Sequence, residues 1–170
     1  MVLKDGRHAS LRLAGPADAE AITELVNVVG AERQYVLRER ATWTIEQGRA
    51  TLAAADGTSS AFFLAEIDGR LSGSLNIQRG AWPKNRHVAE LGMSCRAECR
   101  RLGVGTALLA HALDWARSAG VRKVNLEVFA TNAPAIALYR QMGFQEEGRR
   151  RREFSIGGDL VDGVLMARWL

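Results

Sequence analysis

The residues with the clearest chemical potential form the run Arg100-Arg101-Leu102-Gly103-Val104-Gly105-Thr106. It follows an apolar, strand-like segment and opens an amphipathic stretch of helical period. The first amides of a helix have no intrahelical acceptor, and the macrodipole makes that end positive. Glycine lets the backbone come close to an anion. A helix start, two glycines and two arginines together suit a diphosphate, with Arg100 and Arg101 adding charge-assisted contacts. Two other phosphate patterns do not fit. A dinucleotide fingerprint begun at Gly103 needs a third glycine where Leu108 stands, and the Gly-Lys-Ser/Thr of a P-loop is absent. Taken alone, the run also fits a tight strand-to-helix connection that binds nothing.

A second group runs from Asn132 through Tyr139 to Gly143-Phe144. Asn132 stands where a helix N-cap is wanted. Ala135, Ile136 and Leu138 suit a core-facing side. Tyr139 brings a phenol, which could equally be a half-buried tyrosine satisfied by a backbone carbonyl.

The elements that must hold these groups can be read along the chain. A short strand is expected over 11–13, and a helix opens at Pro16 and Asp18 with Ile22, Leu25, Val26 and Val29 at helical spacing. A second helix is expected over 44–54. Strands over 61–67 and 71–78 flank Asp68-Gly69, a hairpin turn signal. After a polar loop containing Trp82, a strand covers 87–95. A long helix over 104–118 ends at Gly120, and a strand follows over 124–129. A short helix over 132–142 leads to a final hairpin, 144–156 and 160–169, around Gly157-Gly158-Asp159. This order implies an α/β chain with a mixed sheet and helices on both faces, in a single domain over residues 1–170.

The spacing R-x-x-G-x-G from Arg100 to Gly105, followed by N-x-x-A-x-x-L-Y-x-x-x-G-F from Asn132 to Phe144, resembles the acetyl-CoA signature of the GNAT superfamily of N-acetyltransferases. The resemblance is firm from Val88 to Phe144 and fades before Ala61. It implies a mostly antiparallel seven-stranded sheet with a splayed central parallel pair. It implies acetyl-CoA as cosubstrate, gripped by residues 100–106, by main-chain groups of Met93, Ser94 and Cys95, and near Asn132 and Ala135. Gly92 is a candidate bulge that would splay the strand. Tyr139 would protonate the departing thiolate. Attack on a thioester needs an uncharged amine and therefore a base. Glu90, in an otherwise apolar strand where burial would tune it to that task, is the first candidate and Glu127 the second. The Met93 amide would hold the oxyanion.

The acceptor side is expected to draw on Arg33, Tyr35, Asn76, Gln78 and Trp82, with Glu32 nearby. The run from Asn76 through Gly92 is similar to bacterial small-molecule members, including L-amino-acid N-acetyltransferases. A small-molecule amine, such as a free amino acid with its carboxylate on Arg33, is therefore the expected acceptor. Protein N-termini or ribosomal proteins are the alternative, and a non-catalytic acyl-CoA-binding module is a third reading.

Bulk properties narrow the classes. The chain has 170 residues, 47% of them hydrophobic and 25% charged, with a net charge of +4. That is enough apolar material for one sizeable core. No apolar run is long enough to span a membrane, and the first ten residues carry no signal-like segment, so a cytoplasmic protein without membrane contact is expected. Cys95 and Cys99 lack partners at zinc spacing, so no metal is expected. The run Arg149-Arg150-Arg151-Arg152 falls in a strand pattern without interleaved aromatics. It reads as a charged face paired with Glu146, Glu147 and Glu153, not as a nucleic-acid site. A homodimer is expected from the family.

Overall fold

The computed structural model describes residues 1–170. In chain order it contains β1 (Ala9–Leu13), α1 (Ala19–Gly30), α2 (Ile45–Ala53), β2 (Ser60–Ile67), β3 (Arg70–Arg79), β4 (Val88–Cys95), α3 (Val104–Ser118), β5 (Lys123–Phe129), α4 (Ala133–Gln141), β6 (Gln145–Ile156) and β7 (Asp159–Trp169). Short 3₁₀ turns precede α1 (Pro16–Asp18) and follow β4 (Ala97–Cys99). All expected strands and helices form. The strands make one sheet in the order β1-β2-β3-β4-β5-β7-β6, and only β4 and β5 run parallel. No helix is long and apolar enough to cross a membrane.

Local chemistry explains the ends of the elements. Asp18 accepts from the Gly15 amide at 2.8 Å and is gripped by both terminal nitrogens of Arg12, which fixes the entry to α1. Thr44 and Gln47 form a reciprocal capping box at the start of α2. Asp68 and Gly69 both take positive φ in the β2–β3 turn, as an Asp-Gly hairpin requires. Asn132 caps α4 by accepting from the Ala135 amide at 3.3 Å.

The larger core lies between α3 and the sheet. Leu108, Leu109, Ala112, Leu113 and Ala116 of α3 pack on Leu75, Ile77, Ala89, Leu91, Val124, Leu126 and Val128. Truncating such a leucine to alanine costs about 2–5 kcal/mol, so this layer carries much of the stability. On the other face, Leu25 and Val29 of α1 pack on Leu64 and Leu71. Leu71 reaches that face because the β2–β3 register slips between Ala65 and Glu66, leaving Ser72 as an extra residue. Arg96 fills this irregularity. It is 1% exposed, its amide donates to the Ser72 carbonyl at 2.9 Å and its Nε to the Leu71 carbonyl at 2.8 Å, and Nη2 reaches Glu24 at 2.8 Å.

The bulge expected at Gly92 is not there. Gly92 lies opposite Asn76 in an unbroken β3–β4 register. Its lack of a side chain makes room instead, because a Cβ would lie 3.0 Å from Asn76 Oδ1.

Candidate functional site

β4 and β5 pair only through Val88–Lys123, Ala89–Val124 and Glu90–Asn125. Past Glu90 the two strands part, although β4 runs on to Cys95 and β5 to Phe129. The ladder fixes which backbone groups face the opening. Gly80 donates to the Val88 carbonyl and Arg96 to the Ser72 carbonyl, so the even-numbered residues at this end of the ladder and at its start face β3. Alternation then turns Met93 and Cys95 towards β5, where no strand meets them. The main chain of Ser94 pairs with Ser74 of β3 and is not available as expected. On β5, Lys123 donates to the His87 carbonyl of the β4 side at 3.1 Å, so Glu127 presents its main chain to the opening from the other wall.

At the top of this opening the chain enters α3 through Arg101 at φ 62 and Gly103 at φ 102. None of the amides of residues 101–106 donates to a protein acceptor, and the first bond back into the turn runs from Ala107 to the Gly103 carbonyl. The Leu102 carbonyl is drawn off by the Lys4 amide at 3.2 Å, which points the Gly103 N–H the opposite way. Consecutive free amides in such a turn form an anion-binding concavity. Gly103 is required for its φ, since the atom nearest to an added Cβ would be Met1 Cε at 3.7 Å. Gly105 is required for space: a Cβ there would lie 3.0 Å from Leu138 Cδ2 and 3.4 Å from Met93 Cε. The start of α3, the open edge of β4 and α4 are thus in contact. Val104 is buried in the core, and Leu102 and Thr106 flank the turn without a polar side-chain bond.

The two arginines of this turn behave differently. Arg101 is exposed and pairs with no carboxylate. Arg100 is already engaged: its fork donates to both oxygens of Glu32 at 2.7 and 2.6 Å, its Nε reaches the Cys95 carbonyl at 3.1 Å, and its guanidinium lies 4.5 Å from the centre of the Tyr35 ring. Arg100, expected to contact phosphate, is thus paired with Glu32 in this structure.

Tyr139 packs among α3-side core residues and against Phe144, with ring centroids 5.8 Å apart. Its hydroxyl bonds to no carbonyl. Asn125 Oδ1 is the one sealed side-chain oxygen or nitrogen without a partner, so the unbonded phenol oxygen must reach accessible surface. Burial raises its pKa well above the usual tyrosine value, with a smaller contribution from Cys95, and the phenol stays protonated at neutral pH. The Cys95 thiol, beside it, is pushed up by burial to about 12, which leaves it un-ionised and inert as a nucleophile. Both cysteines are free thiols.

The opposite sheet face carries the polar residues. Gln78, Glu90 and Asn125 stand side by side on three adjacent strands, with Asn76 one step along β3. Glu90 is exposed, contrary to the burial expected of it, and no cation pairs with it. Glu127 is held by Arg150 at 2.9 Å. The remaining acceptor candidates are scattered. Tyr35 lies under Arg100, Arg33 pairs with Glu39 at 3.3 Å, and Trp82 is 73% exposed in the β3–β4 loop. The arginine run forms ion pairs as expected, Arg149 with Glu146 and Arg150 with Glu153, whereas Glu147 pairs with Lys123. No group of His, Cys, Asp or Glu is placed to hold a metal ion. Arg96 and Asn125 are the site-side residues that the sequence did not single out.

Comparison with known proteins agrees with this geometry. The model of the acetyltransferase (GNAT) family matches residues 28–144. The chain is 35% identical over 109 residues to an L-amino acid N-acetyltransferase of Escherichia coli K12, covering 62% of this chain and 65% of that one. It is 43% identical over 68 residues to the [ribosomal protein bS18]-alanine N-acetyltransferase of the same organism, covering 40% and 46%. The matched stretches thus span from about half to two thirds of these relatives' lengths. Among solved structures, the acetyltransferase of GNAT family from Streptococcus pneumoniae superposes with a TM-score of 0.90 at 26% identity, over 96% of this chain and 99% of that one. A Salmonella typhimurium chain solved with its cofactor acetyl-CoA shares the fold, with a TM-score of 0.86 at 22% identity over 96% and 94%. The free amides at the head of α3, the parted strands and the matched family model lead to one conclusion: this chain belongs to the GNAT acetyltransferase family.

Proposed function

We propose that the protein transfers an acetyl group from acetyl-CoA to the amine of a small molecule, with free amino acids the first class of acceptor, by direct attack. One observation carries this reading. The unpartnered amides of residues 101–106 stand above an open strand edge, with the Tyr139 phenol beside it. The fit to acetyl-CoA is chemical. The amides and Arg101 suit a diphosphate, and the main-chain groups of Met93, which face the opening, suit the amides of a pantetheine arm, while the Cys95 carbonyl is already held by Arg100. When bound, the thioester supplies the activated acetyl group.

The chain's own residues divide the remaining work between the two faces of the sheet. Glu90 takes a proton from the incoming amine, directly or through water, on the face that carries Gln78 and Asn125. The Met93 amide donates to the oxygen that gains charge. Tyr139, from the α3 side, donates its proton to the departing sulfur. Asn132 holds α4 in place through its cap.

The test is an amine panel with acetyl-CoA, read by free thiol release. Turnover on free amino acids supports the reading, and no turnover on any small amine overturns it. A second reading, acetylation of a protein N-terminus, draws on the similarity to the ribosomal-protein enzyme. It predicts that a peptide with an N-terminal alanine outcompetes every free amino acid in the same assay.

A further inference from the structure

We propose that Arg100 is a positioning residue that fastens the acceptor-side loop to the cofactor turn, and not a ligand of phosphate. The inference rests on the acetyltransferase reading of the site. Between α1 and α2, residues 31–43 form no helix or strand. Besides Val36, which packs on the α1 core, and Trp43, whose Nε1 donates to Thr23 Oγ1 at 3.1 Å, three fastenings hold this loop. The Ala41 amide donates to Asn27 Oδ1 at 2.8 Å. Gly30 has no Cβ, which lets the carbonyls of Arg38 and Glu39 lie against it. The third is Arg100, whose two terminal nitrogens grip Glu32 at 2.7 and 2.6 Å while the guanidinium covers the Tyr35 ring.

The same guanidinium donates from Nε to the Cys95 carbonyl, the last main-chain acceptor of β4 on the side of the opening. Its own backbone leads directly into the free amides of residues 101–106. One side chain therefore joins the acceptor loop, the open strand edge and the anion-binding turn. Arg100 and Glu32 are only 28% and 23% exposed, so this two-pronged pair is screened less than a surface ion pair. A phosphate on Arg100 would have to displace Glu32 and release the loop. Arg101 and the amides are left to meet the cofactor's charge, and Glu32 and Tyr35 are held where an acceptor must approach.

The test uses the full chain and the variants R100Q, E32Q, R100Q/E32Q and R100K. Hydrogen exchange of the amides of residues 31–40 is read on the free protein, acetyl-CoA affinity by calorimetry, and acceptor KM and kcat by thiol release. Each single variant is expected to speed loop exchange at least tenfold, leave the acetyl-CoA Kd within threefold, and raise acceptor KM at least fivefold with kcat within threefold. The double variant is expected to be no worse than the worse single one. R100K keeps the charge but loses the fork, so it should loosen the loop too, and it serves if R100Q does not fold. Unchanged loop exchange overturns the proposal. So does a tenfold loss of acetyl-CoA affinity in R100Q that E32Q does not share. Loop exchange needs no turnover, so loosened loops in a protein inactive on every amine contradict the functional reading and leave the clasp standing.

Discussion

Replacing Tyr139 by phenylalanine removes one oxygen and should move stability and activity in opposite senses. The side chain is 7% exposed and its ring packs on Phe144. A hydroxyl buried without a partner costs about 1–3 kcal/mol in protein mutational data. Here the oxygen touches accessible surface, so only part of that cost applies. Y139F is expected to leave stability unchanged or to raise it by up to about 1 kcal/mol. A tyrosine bonded to a carbonyl would instead lose about 1 kcal/mol on the same change. In catalysis, a positioned proton donor is worth roughly 10²- to 10⁴-fold, or about 2.7–5.4 kcal/mol of barrier. Urea unfolding gives the first quantity, and thiol release at saturating acetyl-CoA gives the second. Calorimetry should show acetyl-CoA affinity within about twofold of the parent, which corresponds to roughly 0.4 kcal/mol. A kcat within threefold of the parent would refute the donor role. A stability loss above about 1 kcal/mol would show that the hydroxyl has a partner after all.

Other changes probe the remaining parts. E90Q should lower kcat at least tenfold in the thiol-release assay, while E127Q, which only breaks the pair with Arg150, should change the rate less; the reverse pattern in the two rates moves the base to Glu127. G103A must shift φ from 102 towards the left-handed basin, at a cost of about 1–2 kcal/mol, and so turns an amide of the anion site. Its acetyl-CoA Kd by calorimetry should weaken about tenfold, or 1.4 kcal/mol, and an unchanged Kd contradicts the assignment. The Cys95 thiol is raised by burial from 9.0 to about 12, so the unfolded chain releases this proton first as pH rises. The stability it contributes is intact below about pH 9 and is lost from there towards 12. Between these limits C95A should flatten the fall of unfolding free energy by up to about 1.4 kcal/mol per pH unit, and equal slopes in urea titrations would contradict the burial.

Most of the fold was legible because its signals are local. Asp68-Gly69 names its hairpin, Asn132 names its cap, and the spacing of Val104, Leu108 and Ala112 names the buried face of α3. The amide turn was legible for the same reason, since a strand, glycines and a helix start determine one another. What could not be read is set by partners far along the chain. Arg100 looks like a phosphate ligand until Glu32, 68 residues away, is seen to hold it. Arg96 is one arginine among many, and only the slip at Ser72 gives it a buried role. Gly92 illustrates an ambiguity of strand glycines, which mark either a bulge or a close approach; here Asn76 makes it the second. The polar alternation of Asn125 and Glu127 in β5 was a signal for the acceptor face. Glu90 was expected to be buried because its neighbours Ala89 and Leu91 are, yet alternate residues of a strand face opposite ways.

The most direct measurement is an amide nitrogen–proton NMR titration of the protein with acetyl-CoA. Saturable shifts concentrated in residues 101–106 and at Met93, at one common affinity, are the predicted result. Saturable binding that leaves those amides unmoved, or no binding at all, would contradict the account.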